Sequence, residues 1–291
     1  MDIETALQAL GTLDSLDPKL RAAFLPGQDF EIMKSPKPGD WLAEHFEPGQ
    51  TFRDFKNEKW NRPDPVRRKI SLLPIESVPG WEVWPSLNSL KAFTRTYFSM
   101  ETEVLPTLSL QGIPVTSRIN RQSGRIQLLT GDLLEMLARR LPSDAFCLLG
   151  ISMDDLYPDP FWNFVFGEAS LKGRIGVYSF ARYDPAFYGE GISRDMPKLL
   201  LKRCCKVLAH ETGHMFGIKH CIYFRCVMNG SNSLSESDRR PFNLCPICLR
   251  KLHHSIGFEI RERYRALADF FEDEEFETEA QWMRTRLGNI D

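Results

Sequence analysis

The chain of 291 residues has no excess of charge of either sign: 37 Lys and Arg stand against 39 Asp and Glu, for a net charge of −2. That balance removes the electrostatic case for nucleic acid or an anionic membrane surface as partner. No run of about 18 apolar residues occurs, so no membrane-spanning helix is predicted. The opening Met1-Asp2-Ile3-Glu4-Thr5-Ala6 carries acids where a secretory signal needs basic residues, and no apolar run follows it. Internal repeats and glycine-rich phosphate loops are also missing. The expectation is a monomeric protein of the cytoplasm or nucleus, with no signal peptide and neither nucleic acid nor membrane as partner. Hydrophobic content of 42% and charged content of 26% are ordinary for a globular chain able to bury a sizeable core.

Histidine is scarce as well, yet three of the six fall within eleven residues, His210 to His220. The stretch reads H-E-x-x-H-x-x-G-x-x-H. On a helix, residues four apart lie about 40° and about 6 Å from each other. His210 and His214 can therefore face one metal ion. His220 would sit about 9 Å further along a straight helix, so the chain must turn between His214 and His220. Gly217 lies where the turn is needed, and glycine takes the left-handed, helix-ending conformation without a Cβ penalty. Three neutral imidazoles suit Zn²⁺ and leave a fourth position for water, the pattern of catalytic zinc. Glu211 follows the first ligand and is placed to act as general base. A helix with ordinary surface histidines explains neither the glycine nor the clustering.

Seven cysteines are present, and in a reducing compartment they do not form disulfides. Cys221, Cys226, Cys245 and Cys248 form a C-x₄-C pair and a C-x₂-C pair, a thiolate set for a closed, structural zinc. Two Zn²⁺ per chain are expected, one catalytic and one structural. Cys221 directly follows His220, so one peptide bond joins the two sites. Cys147 reads as core, and Cys204 and Cys205 as packing or surface residues of the zinc helix. His253 and His254 read as non-ligands, because both proposed sites are already full.

The rest of the chain gives a coarser outline. Leu7, Leu10, Leu13 and Leu16 suggest a weak helical pattern over residues 6–20. Residues 28–68 mix prolines with aromatics and read as an arm packed on a domain surface. The compact domain is expected over residues 69–291, with 1–68 as the extension. Lys69 to Ile75 reads as a buried strand ending at Pro74, and residues 87–100 as a helix capped by Ser86. Residues 114–127 read as a hairpin turning at Ser123-Gly124, and Thr130 to Leu141 as a helix stopped by Pro142. Phe146 to Ile151 is a second buried strand. Residues 162–169 and 174–180 read as two strands joined at Lys172-Gly173. The zinc helix is expected to start at Pro197. From Leu249 onward the pattern is helical, and the acidic run 272–279 reads as a solvated face or frayed end.

His210 to His220, the adjacent Cys221, Cys226-Val227-Met228 and Cys245-Pro246-Ile247-Cys248 together resemble an archaemetzincin. Trp162 to Gly167, Ser179-Phe180-Ala181-Arg182-Tyr183 and Asp238-Arg239-Arg240-Pro241 also look like animal members. The stretch around Gly189 to Arg194 looks shorter than in some of them. The resemblance implies a metzincin-like α/β (α+β) fold, with a twisted mixed sheet over an active-site helix, a Cys₄ zinc knuckle and C-terminal helices. It implies that Met228 lies beneath the zinc ligands as the Met-turn, and that an edge strand over 163–169 binds extended substrate. The expected function is a zinc metallopeptidase acting on a peptide or protein, with zinc-activated water as nucleophile and Glu211 as base. A catalytically silent, zinc-scaffolded interaction module is the alternative, and zinc-dependent hydrolysis of a non-peptide amide shares the same metal chemistry. Glu168, Asp154 and Asp155 are candidates for recognising a substrate amine.

Overall fold

The structure is a computed structural model, and it describes residues 1–77, 85–189 and 194–290. In chain order the elements open with α1 (Ile3–Leu10), α2 (Pro18–Phe24), α3 (Trp41–Glu44) and α4 (Phe52–Asn57). Then come β1 (Lys69–Glu76), α5 (Leu87–Phe98), β2 (Glu101–Val104), β3 (Leu108–Ser109), β4 (Ser117–Ile119) and β5 (Ile126–Leu129). They are followed by α6 (Thr130–Ala138), β6 (Ala145–Ser152), β7 (Asp155–Tyr157), β8 (Gly167–Ser170) and β9 (Ile175–Ser179). The helices α7 (Met196–Met215), α8 (Leu234–Arg239), α9 (Pro246–Ile256), α10 (Ile260–Asp273) and α11 (Glu277–Asn289) complete the chain. Residues 190–193, within the stretch that looks shorter than in animal relatives, lie outside the described residues.

The described chain forms two compact units, Pro63–Glu211 and Met1–Arg62 with Thr212–Asp291. The division falls inside α7, directly after Glu211.

The Pro63–Glu211 unit is a mixed sheet in the order β2-β1-β6-β9-β8, with β3 also paired to β1. All pairs of that sheet are parallel except β8 with β9, and a second, three-stranded sheet runs β4-β5-β7, with β4 antiparallel to β5. Parallel strands are covered on both faces, and β6 is accordingly buried at every position. Leu73, Ile75, Leu148, Ile175 and Val177 pack with Leu133, Met136 and Leu137 of α6.

The sequence predicts that β1 stops at Pro74, whereas the strand runs through it to Glu76. The reason lies in the pairing. The carbonyls of Leu72 and Glu76 accept from Leu105 and Leu110 on the side of β2 and β3, and alternation puts Pro74 on that same side. The paired register of β2 ends at Leu72, and that of β3 begins at Ile75. The missing N–H of Pro74 thus falls in a gap where no ladder bond is required.

The strand expected over 162–169 also needs correction, since regular pairing starts only at Gly167. Before it, Asn163 is taken up by a polar cluster. Its carbonyl accepts from Asn120 Nδ2 at 2.9 Å and Gln127 Nε2 at 3.0 Å, and its own Nδ2 donates to Gln122 at 3.0 Å. Gln127 Nε2 also donates to Asp155 at 2.9 Å. Arg182 then meets Asp155 in a two-pronged ion pair, with Nε–Oδ1 at 2.7 Å and Nη2–Oδ2 at 2.8 Å. The pair is buried, and the guanidinium lies 3.7 Å over the Phe164 ring.

The other unit is helical. The expected single helix over 6–20 is two helices. Gly11 at φ +76° ends α1, and Asp17 with Pro18 at the first turn starts α2. The expected continuous C-terminal helix is three. Gly257 at φ +79° closes α9, and the acidic run is divided between the end of α10 and the start of α11. Residues 1–62 pack within this unit. Arg250 of α9 donates to the carbonyls of Leu10 and Thr12, and Arg286 of α11 to those of Ala23 and Leu25. Ile32 forms an antiparallel bridge with Phe224.

Removing one partner of the buried Asp155–Arg182 pair strands the other charge. Asp155→Ala is expected to cost about 3–5 kcal/mol in urea unfolding, and a loss within experimental error would contradict the clamp.

Candidate metal centre

α7 carries His210 and His214 one turn apart and ends at Met215, and Gly217 follows at φ +81°. The chain turns there, as the spacing predicts, and His220 comes back to the helix. Ligand atoms of His210, His214 and His220 all lie within 4.8 Å of one another. His210 is buried, whereas His214 and His220 keep a partly exposed side. An ion held by the three would stay within reach of solvent and substrate.

The tautomers follow from the neighbours. His214 Nδ1 stands 2.6 Å from the Ile218 carbonyl. A carbonyl can only accept, so Nδ1 carries the proton and Nε2 is left for metal. His220 Nδ1 stands 2.7 Å from Glu47 Oε1. Burial tends to raise the Glu47 carboxyl, but hydrogen bonds from His220 and Trp41 outweigh it and bring it below the ordinary value. Glu47 is therefore ionised and accepts from His220. Burial and the neighbouring His220 push His214 down to about 3, so its imidazole is neutral at physiological pH, as ligation requires.

Met228 is fully buried in the same unit as His214. A Cβ on Gly213 would lie 2.5 Å from Met228 Sδ. A glycine in mid-helix, ordinarily destabilising, is thus what admits the methionine beneath the helix. Glu211 is partly exposed. Burial, with the Glu211 charge adding to it, pushes the Tyr178 hydroxyl well above its ordinary value.

Cys221, Cys226, Cys245 and Cys248 form the second cluster, all buried and with their sulfurs within 4.8 Å of one another. Cys221 Sγ lies 3.6 Å from Cys245 Sγ. Tetrahedral Zn–S bonds of about 2.3 Å would separate sulfurs by about 3.8 Å. Cys245 caps α9 and Pro246 occupies its first turn, so two of the thiols sit at a helix N-terminus, where negative charge is favoured. Asn229 closes the loop by donating to the Cys221 and Phe224 carbonyls and accepting from the Cys226 N–H. Hydrogen bonds from the other three sulfurs pull the Cys221 thiol well below its ordinary range, while burial pushes Cys245 well above. Four buried thiols cannot ionise together without a cation among them, and a divalent, thiophilic ion fits this donor set. Cys147, Cys204 and Cys205 are buried and stand apart from both clusters.

Of the carboxylates considered for amine recognition, each already has a structural partner. Asp154 accepts from the Ser77 N–H and from Ser152, Asp155 pairs with Arg182, and Glu168 accepts from the Thr130 hydroxyl. His253 packs edge-on against Phe24 and Phe258, and His254 against Phe52 and Phe55.

The helix–turn–ligand order, the paired cysteines and the placement of Met228 describe a metzincin-type centre, and comparison with known proteins gives the branch. The model of peptidase family M54 matches residues 119–254. Archaemetzincin-2 of Macaca fascicularis is 38% identical over 88% of this chain and 78% of its own length. The chain belongs to the archaemetzincins. Human archaemetzincin-2 is 37% identical over 89% of this chain and 79% of its own. The crystal structure of a zinc-dependent peptidase from Methanocorpusculum labreanum shares the fold. It has a TM-score of 0.50 at 24% identity, over 63% of this chain and 99% of that one. Among the described residues of this family member, no helix is long and apolar enough to cross a membrane.

What the sequence does not reveal is how residues 41–60 meet the metal loop. Gln50 Nε2 donates to the Gly217 carbonyl at 3.1 Å, and its Oε1 accepts from the Lys219 N–H at 3.2 Å. Buried Lys251 donates to Gln50 in turn. A Cβ at Gly217 would lie 2.1 Å from the Trp60 ring, and one at Gly230 would lie 2.4 Å from the Trp41 ring. No local pattern announces these contacts, which span more than 150 residues of sequence. Gly230, two residues after Met228, is a local hint of the space that Trp41 fills.

Gly217→Ala meets both an unfavourable φ and the Trp60 ring. It is expected to lower the melting temperature and to lose the histidine-bound zinc while the Cys₄ zinc stays, which metal analysis of the purified protein checks. Cys245→Ser is expected to do the reverse at the metal level, dropping zinc to one per chain, and to destabilise the fold.

Proposed function

We propose that this archaemetzincin hydrolyses peptide bonds at the His210–His214–His220 centre, with Glu211 as general base. The observation that carries the reading is the approach of three imidazoles around one point, two of them on a helix that also bears Glu211. Zn²⁺ bound there supplies Lewis acidity, which polarises a carbonyl oxygen and brings the pKa of water toward neutrality. The Glu211 carboxylate takes the proton from the attacking water and passes it to the departing amine nitrogen. His214 and His220 hold their Nδ1 protons on Ile218 and Glu47, which keeps both rings in one tautomer through the cycle. The Cys₄ set takes no part in proton transfer and holds the segment that follows His220.

The substrate is a peptide or protein in extended form. β8 is an edge of the sheet, paired to β9 on one side and to no other strand among the described residues. Its free side can add one more strand by backbone hydrogen bonding. The reading of residues 69–291 as the peptidase domain, with 1–68 as a packed extension, belongs to the same proposal. So does a cytoplasmic or nuclear location, which the need of a Cys₄ site for reduced thiols supports.

The test is cleavage of a mixed peptide library by wild type and Glu211→Ala, with zinc counted in both. Cleavage by the wild type that vanishes in the variant at an unchanged two zincs supports the reading. Full activity in Glu211→Ala would sink the mechanism, and an inactive wild type loaded with two zincs would favour a silent scaffold.

A further inference from the structure

We propose that Glu47 is a positioning residue for the third metal ligand, accepting His220 Nδ1–H so that Nε2 faces the ion. His210 and His214 project from a helix, which fixes the direction of their Cα–Cβ bonds. His220 follows a glycine turn and has no such frame, so its ring depends on what it touches. Two contacts from residues 41–47 bear on it. The Glu47 carboxylate lies 2.7 Å from Nδ1, and the Trp41 ring stands edge-on with centroids 5.1 Å apart and planes at 80°.

Glu47 is itself anchored. Trp41 Nε1 donates to the same carboxylate oxygen at 2.9 Å. The Trp41 backbone N–H donates to Glu236 at 2.9 Å, and its ring fills the space that Gly230 leaves open. A carboxylate behind a ligating imidazole raises its basicity and sets its tautomer. The carboxylate comes from 173 residues upstream of its histidine and lies outside residues 119–254, which match the family model. The extension thus completes the orientation of a ligand that the family motif supplies. A plain ion pair would contribute to stability alone, whereas a positioning carboxylate changes how tightly the centre holds its metal.

The experiment uses the full chain loaded with two zincs, and it measures zinc release to a chromophoric chelator for wild type, Glu47→Ala, Glu47→Gln and Trp41→Phe. Visible absorption of the Co²⁺-substituted histidine site gives a second readout. Glu47→Ala is expected to weaken the histidine-bound zinc by about 10–100-fold and to shift the Co²⁺ spectrum, leaving the Cys₄ zinc in place. Glu47→Gln keeps a neutral acceptor, so its loss should be smaller. Trp41→Phe removes the Nε1 donor that anchors Glu47 and trims the ring beside His220 and Gly230, and it should also weaken the site.

Wild-type affinity and spectrum in both Glu47 variants overturn the proposal. If Glu47→Ala loses the Cys₄ zinc through misfolding, Glu47→Gln and Trp41→Phe decide, and unchanged affinity in both overturns it. The inference rests on the three histidines holding zinc. A wild-type chain that takes up a single zinc refutes that reading, while two zincs with no effect of the variants refute the role of Glu47 alone.

Discussion

The reversal of the backbone at Gly217 is the constraint on which the rest of the metal loop depends. A straight helix cannot bring a third histidine to the first two. The turn that does so requires a positive φ, and Trp60 then takes the space where a side chain would have been. Gln50 bonds to the turn on both sides, at the Gly217 carbonyl and the Lys219 N–H. A turn that a glycine merely permits becomes one that its neighbours enforce.

The second dependence is electrostatic. Four thiols buried together favour a single shared negative charge, because each further thiolate must be desolvated beside the first. A divalent cation reverses that preference. Since Cys221 follows His220 directly, neutralising the thiolates fixes the backbone immediately after the third imidazole. The Cys221 N–H also donates to the Met228 carbonyl at 2.8 Å. The segment between the two sites is therefore tied to the methionine under the helix, and the two metals share a scaffold without sharing a ligand.

Much of the centre was legible because its chemistry is local. His210, Glu211, His214, Gly217 and His220 occupy fixed offsets, and the cysteine pairs are short-range. The strands were legible where burial is continuous, as in β6, and less so where a polar role competes. Asn163 sits in an apolar, strand-like run, yet its side chain and carbonyl serve a hydrogen-bonded cluster, so pairing starts four residues later. Pro74 misled for the opposite reason, since a residue that ends most strands is harmless where pairing passes from one neighbour to the next. Glu47, Trp41 and Gln50 were not legible at all. Their partners lie far along the chain, and neither periodicity nor spacing encodes a contact of that range.

The helical unit is assembled from both ends of the chain, Met1–Arg62 and Thr212–Asp291. During synthesis the first portion therefore leaves the ribosome well ahead of the second portion it packs against. At about 5–20 residues per second, the roughly 150 residues between the two portions take on the order of 8–30 s to make. Through that interval Trp41, Phe55 and Trp60 have no loop to fill, and Glu47 has no imidazole to meet. Metal capture at the histidines is then a late event in the life of each molecule, because the third ligand gains its carboxylate only after both portions are made.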